Sequence, residues 1–160
     1  MSGNITIIGA GLAGSEAAYQ LAAHGFSVHL YEMRPGLPTG AHTTDKFAEL
    51  ICSNSLGSNL PDRAAGVLKN ELRYLNSILM KIADEYALPA GGALAVDRDK
   101  FSTRITELLS NHPNIQILRE EVKEIPLGPT IIASGPLTSN SLASSISTLT
   151  NSNNLFFYDA

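Results

Sequence analysis

Tryptophan is absent from this 160-residue chain, and cysteine occurs once, as Cys52. A single thiol cannot build a disulfide framework within one chain, and it excludes a cysteine-rich metal site. A reducing compartment is the natural setting, so a cytoplasmic location is expected. Cations are scarce: 11 Lys and Arg stand against 15 Asp and Glu, for a formal net charge of −4, and no long basic run is present. Such a segment does not attract nucleic acid by charge alone. Long hydrophobic runs are also missing. The apolar stretch near the start is short and broken by glycines and Glu16, which fits neither a signal peptide nor a membrane span. No histidine–carboxylate cluster has ligand spacing, so no metal is expected.

Apolar residues make up 44% of the chain and charged residues 16%, the composition of an ordinary globular domain rather than a disordered segment. The length suits one domain with a real core, and residues 1–160 are read as one. Residues 4–8 are β-rich and apolar, as in a strand buried on both faces. Residues 9–14 make a turn, 15–23 a helix ended by Gly25, and 26–31 a second strand closing a βαβ unit. Residues 33–60 hold Pro35, Gly36, Pro38 and Gly40 and read as a long loop, more often functional than idle.

One or two helices are expected over 61–86, with Leu68, Leu72, Leu75, Leu79 and Ile82 near one face. A short strand follows at 93–96. A helix through Phe101, Ile105 and Leu109 comes next, capped by Asp97 or Asp99. Residues 115–118 alternate as a strand, and 121–125 suggest another, the two forming a small antiparallel crossover. Residues 130–133 read as a buried strand and 139–149 as a weak helix. The last residues, 155–160, read as a strand just finished, which leads us to expect a piece of a longer protein. The fold class expected is a doubly wound, Rossmann-like α/β domain.

The most informative motif is Gly9-Ala10-Gly11-Leu12-Ala13-Gly14. Gly9 would turn the chain tightly out of the strand, Gly11 would let a pyrophosphate approach the backbone, and Gly14 would let the helix pack closely. The helix N-terminus adds free N–H donors and a favourable field for phosphate. Glu32, at the end of the second strand, can accept ribose hydroxyls and would repel a 2′-phosphate. Strand, glycine turn, helix, strand and terminal acid occur in the right order, which points to a dinucleotide site rather than an incidental glycine turn. The fingerprint serves FAD and NAD alike. The long excursion after Glu32 favours a flavoprotein. Gly135, in the turn after residues 130–133, is expected near the cofactor.

Longer strings carry more information than the glycines. They include Val28-His29-Leu30-Tyr31-Glu32-Met33-Arg34-Pro35, Leu50-Ile51-Cys52-Ser53-Asn54-Ser55 and Gly91-Gly92-Ala93-Leu94-Ala95-Val96-Asp97-Arg98. Through them the chain resembles the N-terminal part of the bacterial folate- and FAD-dependent tRNA (uracil-5-)-methyltransferases, over nearly all its length. The larger flavoproteins that modify the tRNA wobble uridine are the next-best match.

The resemblance implies methylation of C5 of the T-loop uridine of tRNA. The carbon would come from 5,10-methylenetetrahydrofolate, the reducing equivalents from NADH or NADPH, and the flavin would be the carrier. It implies that tRNA binds mainly through regions absent from this chain, as does the cysteine usually assigned as the uracil nucleophile. Cys52 matches the family's N-terminal active-site cysteine, in a supporting or protecting role near the flavin. Taken alone, a cysteine after Leu50-Ile51 is as readily a buried small residue. Lys46, Arg98 and Asn54 are secondary candidates for folate, flavin or RNA contacts. His42, Asp97, Gly91 and Gly92 are weaker ones, with solvated surface, helix cap or plain turn as the alternatives. A different flavoprotein and a non-catalytic nucleotide-binding fragment are the rival readings.

Overall fold

In the computed structural model, which describes residues 4–152, the first strand β1 (Ile5–Ile8) runs into a glycine turn and then α1 (Leu12–Ala23). The helix starts three residues earlier than its sequence suggests, because Gly11 is its N-cap and the second half of the glycine loop is its first turn. His24 and Gly25 (φ +85°) end it, and β2 (Val28–Tyr31) follows. β2 is shorter than expected, since Phe26 lies in the exposed turn ahead of it.

The excursion after Glu32 passes through β3 (Ser55–Ser58) into α2 (Ala64–Tyr74) and α3 (Ile78–Glu85). Two helices form because Asn76 (φ +59°) breaks the run. That break resets the helical phase, so the single leucine face does not exist. Leu68 and Leu75 are exposed, whereas Gly66 and Lys69 face inward. A Cβ on Gly66 would lie 1.8 Å from the Leu60 carbonyl oxygen, and the Lys69 ammonium donates to Ser58 O at 3.0 Å, tying α2 to β3. Glu16 anchors α3 to α1: its carboxylate accepts from Ser77 Oγ (2.7 Å) and from the N–H groups of Ile78 (3.2 Å) and Leu79 (3.0 Å). It thereby serves donors that the start of a helix leaves without partners.

Next come β4 (Ala87–Leu88), β5 (Ala93–Val96), α4 (Arg98–Ser110), β6 (Ile115–Leu118), β7 (Thr130–Ile132), a 3₁₀ turn (Gly135–Leu137) and α5 (Asn140–Thr150). The strands form two sheets. The first, in order β6-β2-β1-β7, is parallel throughout. The second, β3-β5-β4, is a small antiparallel sheet.

Three expectations are corrected here. Residues 121–125 form no strand, and β6 is the parallel neighbour of β2, so there is no antiparallel crossover at 115–125. The antiparallel sheet is built instead from residues within 55–96. β7 is not buried: it pairs only with β1 among the described residues, and Ile131 and Ile132 are each 38% exposed. The strand read at 155–160 lies outside the described residues.

The core lies where α1, α3 and α4 meet the parallel sheet and β5, around Ile7, Leu30, Phe47, Ile82, Val96 and Phe101. Phe47 comes from the middle of the supposed loop and is fully buried. The strand order reverses at β1, whose neighbours β2 and β7 lead away in opposite directions. This is the doubly wound arrangement, and its switch point is where such sheets bind ligands.

Candidate functional site: a dinucleotide cleft at the switch point

A cavity of about 340 Å³ opens at the C-terminal ends of all four parallel strands. Ile8 and Gly9 line it after β1, Tyr31 and Glu32 after β2, Glu120 after β6, and Ala133 after β7. Its volume is at the lower end of the usual range for small-molecule sites.

The glycine loop forms one wall, and its three glycines do three different things. Gly9 has φ +99°, and a Cβ there would come within 2.8 Å of Ala133 O, so β1 and the turn after β7 meet at this point. Gly14 is the tightest contact, since a Cβ would lie 1.8 Å from Gly9 O. Gly11 is the opposite case: nothing lies within 4 Å of its would-be Cβ, and the residue lines the cavity. No side chain caps the start of α1, and its first turn holds no acid. Its N–H donors therefore face open space in a field that favours anions. These features fit a pyrophosphate on the backbone between Gly11 and Ala13.

Ala10 fastens the loop from behind. Its N–H donates to Glu32 Oε2 (3.1 Å), and its carbonyl accepts from Ala48 N (2.9 Å) and Ser15 Oγ (3.1 Å). Glu32 is buried at the cavity wall, where its other oxygen, Oε1, accepts from Arg34 N (3.1 Å) and Arg34 Nε (3.0 Å). Burial pushes the Glu32 carboxyl up. The hydrogen bonds and charge of Arg34, with the Ala10 N–H, outweigh burial and hold it below the ordinary carboxylate value.

Arg34 is itself 4% exposed and donates onward to Glu49 Oε2 (3.0 Å), Thr44 O (2.9 Å) and Lys46 O (3.1 Å). Glu49 also accepts from the N–H and hydroxyl groups of Thr43 and Thr44. Burial raises its pKa, but those donors prevail and bring it down to about 2. Arg119 closes the hub by donating to Arg34 O (3.1 Å) and Asp45 O (2.7 Å) with its guanidinium 4.3 Å from the centre of the Phe47 ring. Residues 33–51 are thus a strap pinned to the glycine loop through a buried ionic hub.

Of the residues singled out in sequence, Gly9, Gly11, Leu12, Ala13, Glu32 and Gly135 line the cavity together. Ala10 and Gly14 are buried behind them. Cys52 is exposed and does not line the cavity, although its neighbour Ile51 does. Asn54, Asp97 and Arg98 share a separate shallow recess. Asp97 is the N-cap of α4 and accepts from Lys100 N (3.1 Å). Lys46 pairs with Asp99 at 3.6 Å. His42 lines the cavity beside Thr39 (2.7 Å between Nδ1 and Oγ1), and burial together with the Arg34 charge lowers its pKa. Gly91 and Gly92 line neither space; Gly91 takes a turn conformation at φ +59°.

Sequence reasoning passed over Arg34 and Glu49, the two residues that organise the hub. The available signal was an arginine two residues after Glu32, in a position to fold back on it. Among the described residues there is no group of three or more His, Cys, Asp or Glu able to hold a metal, and no helix is long and apolar enough to cross a membrane.

A parallel sheet with a switch-point cleft, a glycine turn feeding a bare helix start, and an acid closing the second strand together define a Rossmann-like dinucleotide-binding fold. A family model described as "Glucose inhibited division protein A" matches residues 4–160, and the chain belongs to that family. It is 60% identical over 156 residues to the methylenetetrahydrofolate–tRNA-(uracil-5-)-methyltransferase TrmFO of Anoxybacillus flavithermus, covering 98% of this chain and 36% of that protein. To the protein of the same name from Bacillus licheniformis it is 59% identical over 160 residues, covering 100% of this chain and 37% of the relative. The chain thus spans little more than a third of the length of the curated relatives it matches.

Two crystal structures of Aquifex aeolicus GidA share the fold. Form I has a TM-score of 0.65 at 17% identity, covering 83% of this chain and 25% of that one. Form II has a TM-score of 0.61 at 20% identity, covering 78% and 21%.

Proposed function

We propose that this chain is the FAD-holding part of a methylenetetrahydrofolate-dependent tRNA (uracil-5-)-methyltransferase, which methylates C5 of the T-loop uridine. One observation carries the reading: near-60% identity, over almost every residue, to relatives bearing that name. The two Aquifex aeolicus GidA structures share the fold at 20% identity or less. The cavity supports the cofactor assignment, because its open Gly11 backbone, unpaired helix start and ribose acid suit the ADP half of FAD.

The chain's own residues do the binding work. The backbone of residues 11–13 receives the pyrophosphate, Glu32 receives the ribose, and Gly135 lets the turn after β7 pass close to the ligand. FAD, when bound, would supply the redox and one-carbon carrier chemistry, with NADH or NADPH as reductant and the folate as carbon donor. Glu32, Glu49, Glu120 and Glu121 face the cavity while the Arg34 guanidinium is engaged by internal acceptors, so a 2′-phosphate finds repulsion there. NADPH would therefore act elsewhere or pass through without occupying this site. Cys52, exposed one residue beyond the cavity wall, has the accessibility a supporting thiol near the flavin needs. The chain is acidic, with a net charge of −4, which supports a reading in which most of the tRNA contact is made by other parts of the protein. The single cysteine suits a cytoplasmic enzyme.

The test is the absorption spectrum of the purified chain, with chromatography of any cofactor released on denaturation. Released FAD, or saturable uptake of added FAD by the folded chain, is the expected result. A folded chain that takes up NAD but not FAD would overturn the flavin assignment.

A further inference from the structure

The ribose acid has four acceptor positions on two oxygens, and the structure accounts for three of them. Oε1 is filled by Arg34 N and Arg34 Nε. Oε2 takes the Ala10 N–H and keeps one lone pair, on a residue that is 6% exposed and lines the cavity. Glu32 therefore has room for one further donor, and that room is on Oε2.

What fixes this arrangement is not in the glycine loop. Arg34 is held from the far side by Glu49 and by the carbonyls of Thr44 and Lys46. Glu49 is aimed in turn by the N–H and hydroxyl groups of Thr43 and Thr44. Four of the five guanidinium N–H donors are used inside the protein, so Arg34 is an internal counter-ion and not a phosphate ligand.

We propose that Arg34 and Glu49 are positioning residues for the adenosine ribose: they saturate one oxygen of Glu32 and aim the other, so that the site reads a single ribose hydroxyl on a fixed acceptor. The inference rests on the dinucleotide reading of the same cavity. It goes beyond it by assigning the geometry of ribose recognition to two residues outside the glycine fingerprint. A carboxylate with a free rotor would take either hydroxyl, or both. One locked by a guanidinium Nε–H and a backbone N–H takes the hydroxyl its remaining lone pair faces, and loses affinity when that hydroxyl is missing.

The experiment is calorimetric titration of the full chain with ADP, 2′-deoxy-ADP and 3′-deoxy-ADP. In the wild type, one deoxy analogue should bind roughly tenfold or more weakly than ADP, the worth of one hydrogen bond to a charged acceptor. The other should stay within about threefold, the margin left for a hydroxyl that makes no such bond. In Arg34→Met and Glu49→Gln, ADP should weaken and the deoxy discrimination should collapse toward one. A merely structural role predicts something else, equal weakening of all three nucleotides with the discrimination intact, and that result would overturn the proposal. So would a wild type that penalises both deoxy analogues alike.

Circular dichroism establishes that each variant is folded. If Arg34→Met fails to fold, Glu49→Gln decides, because it keeps the size of the side chain while removing the charge that holds Arg34 and one of the two oxygens that Thr43 and Thr44 donate to. A wild-type chain that is folded but binds no ADP would remove the dinucleotide reading itself, and the inference with it. That outcome is distinct from ADP binding with unchanged discrimination.

Discussion

Residues 5–31 and residues 33–51 both wall the cavity, but different forces hold them in shape. The first segment is regular: β1 and β2 pair in parallel register from Ile5 with Val28 to Ile8 with Tyr31, and α1 packs against both. Away from the open start of α1 its polar backbone is satisfied by strand and helix, and its shape follows from apolar burial plus close approach at glycines. The second segment contains no helix or strand, yet Phe47 and Ala48 within it are fully buried. Its order comes from side chains that replace secondary structure: Glu49 takes the N–H groups of Thr43 and Thr44, and Arg34 takes the carbonyls of Thr44 and Lys46. A loop that long can be rigid when buried charge supplies the partners its backbone lacks. Steric fit and buried charge respond to different perturbations, so the two segments can be broken separately.

The largest effect should come from the regular segment. Gly14→Ala places a methyl carbon 1.8 Å from the Gly9 carbonyl oxygen, a backbone atom that cannot swing aside. The cost should exceed about 3 kcal/mol, beyond ordinary overpacking, where side chains can yield. Urea denaturation of the variant should show a midpoint far below wild type, or no cooperative transition. A loss under about 1 kcal/mol would show that α1 can shift along the sheet, against the tight contact seen here.

The strap should fail with acid. The folded pKa of Glu49 is about 2 and that of Glu32 is also depressed, whereas an unfolded glutamate titrates near 4.5. A depressed folded pKa contributes stability that is fully present above the unfolded value. It is lost as pH falls toward the folded one, because the unfolded chain binds the proton first. For Glu49 the total is on the order of 3 kcal/mol, about 2 of it gone by pH 3. Urea midpoints at pH 7, 5 and 3 check this. The Glu49→Gln protein should be less stable at pH 7 and should lose less between pH 5 and pH 3. Parallel losses in the two proteins would place the acid sensitivity elsewhere.

The same contrast decides what could be read from sequence. The βαβ unit was legible because its signals are local: a β-rich run, three glycines at fixed offsets, an alanine-rich helix and an acid at the next strand end. The strap was legible only as a long loop. Its partners are far apart in sequence, such as Phe47 N with Thr106 Oγ1 and Arg119 with Asp45 O, and no periodicity announces them. The sequence pattern draws Leu68, Leu72, Leu75, Leu79 and Ile82 on one face, but Asn76 divides that run between two helices and Leu68 and Leu75 are exposed. The antiparallel pairing of β3, β4 and β5 was also hidden, since short strands with little alternation do not specify their neighbours. Asp97 reads in sequence equally as a cap or a ligand contact, and the α4 N-terminus takes it as a cap.

The smallest effect on stability should be at Gly11, three residues from the position with the largest. Gly11 has φ −69° and ψ −168°, a conformation alanine adopts without strain, and its would-be Cβ meets nothing within 4 Å. As an N-cap it makes no side-chain hydrogen bond that alanine would forfeit. Gly11→Ala should therefore change unfolding free energy by no more than about 1 kcal/mol. The added methyl would instead stand in the space where a pyrophosphate meets the backbone, so ADP affinity should fall at least about tenfold while the urea midpoint moves little. Gly14→Ala should do the reverse, removing the fold before binding can be measured. If Gly11→Ala left ADP affinity untouched, the open wall at Gly11 would not be the phosphate seat, and the ligand would have to approach from the side of Gly135.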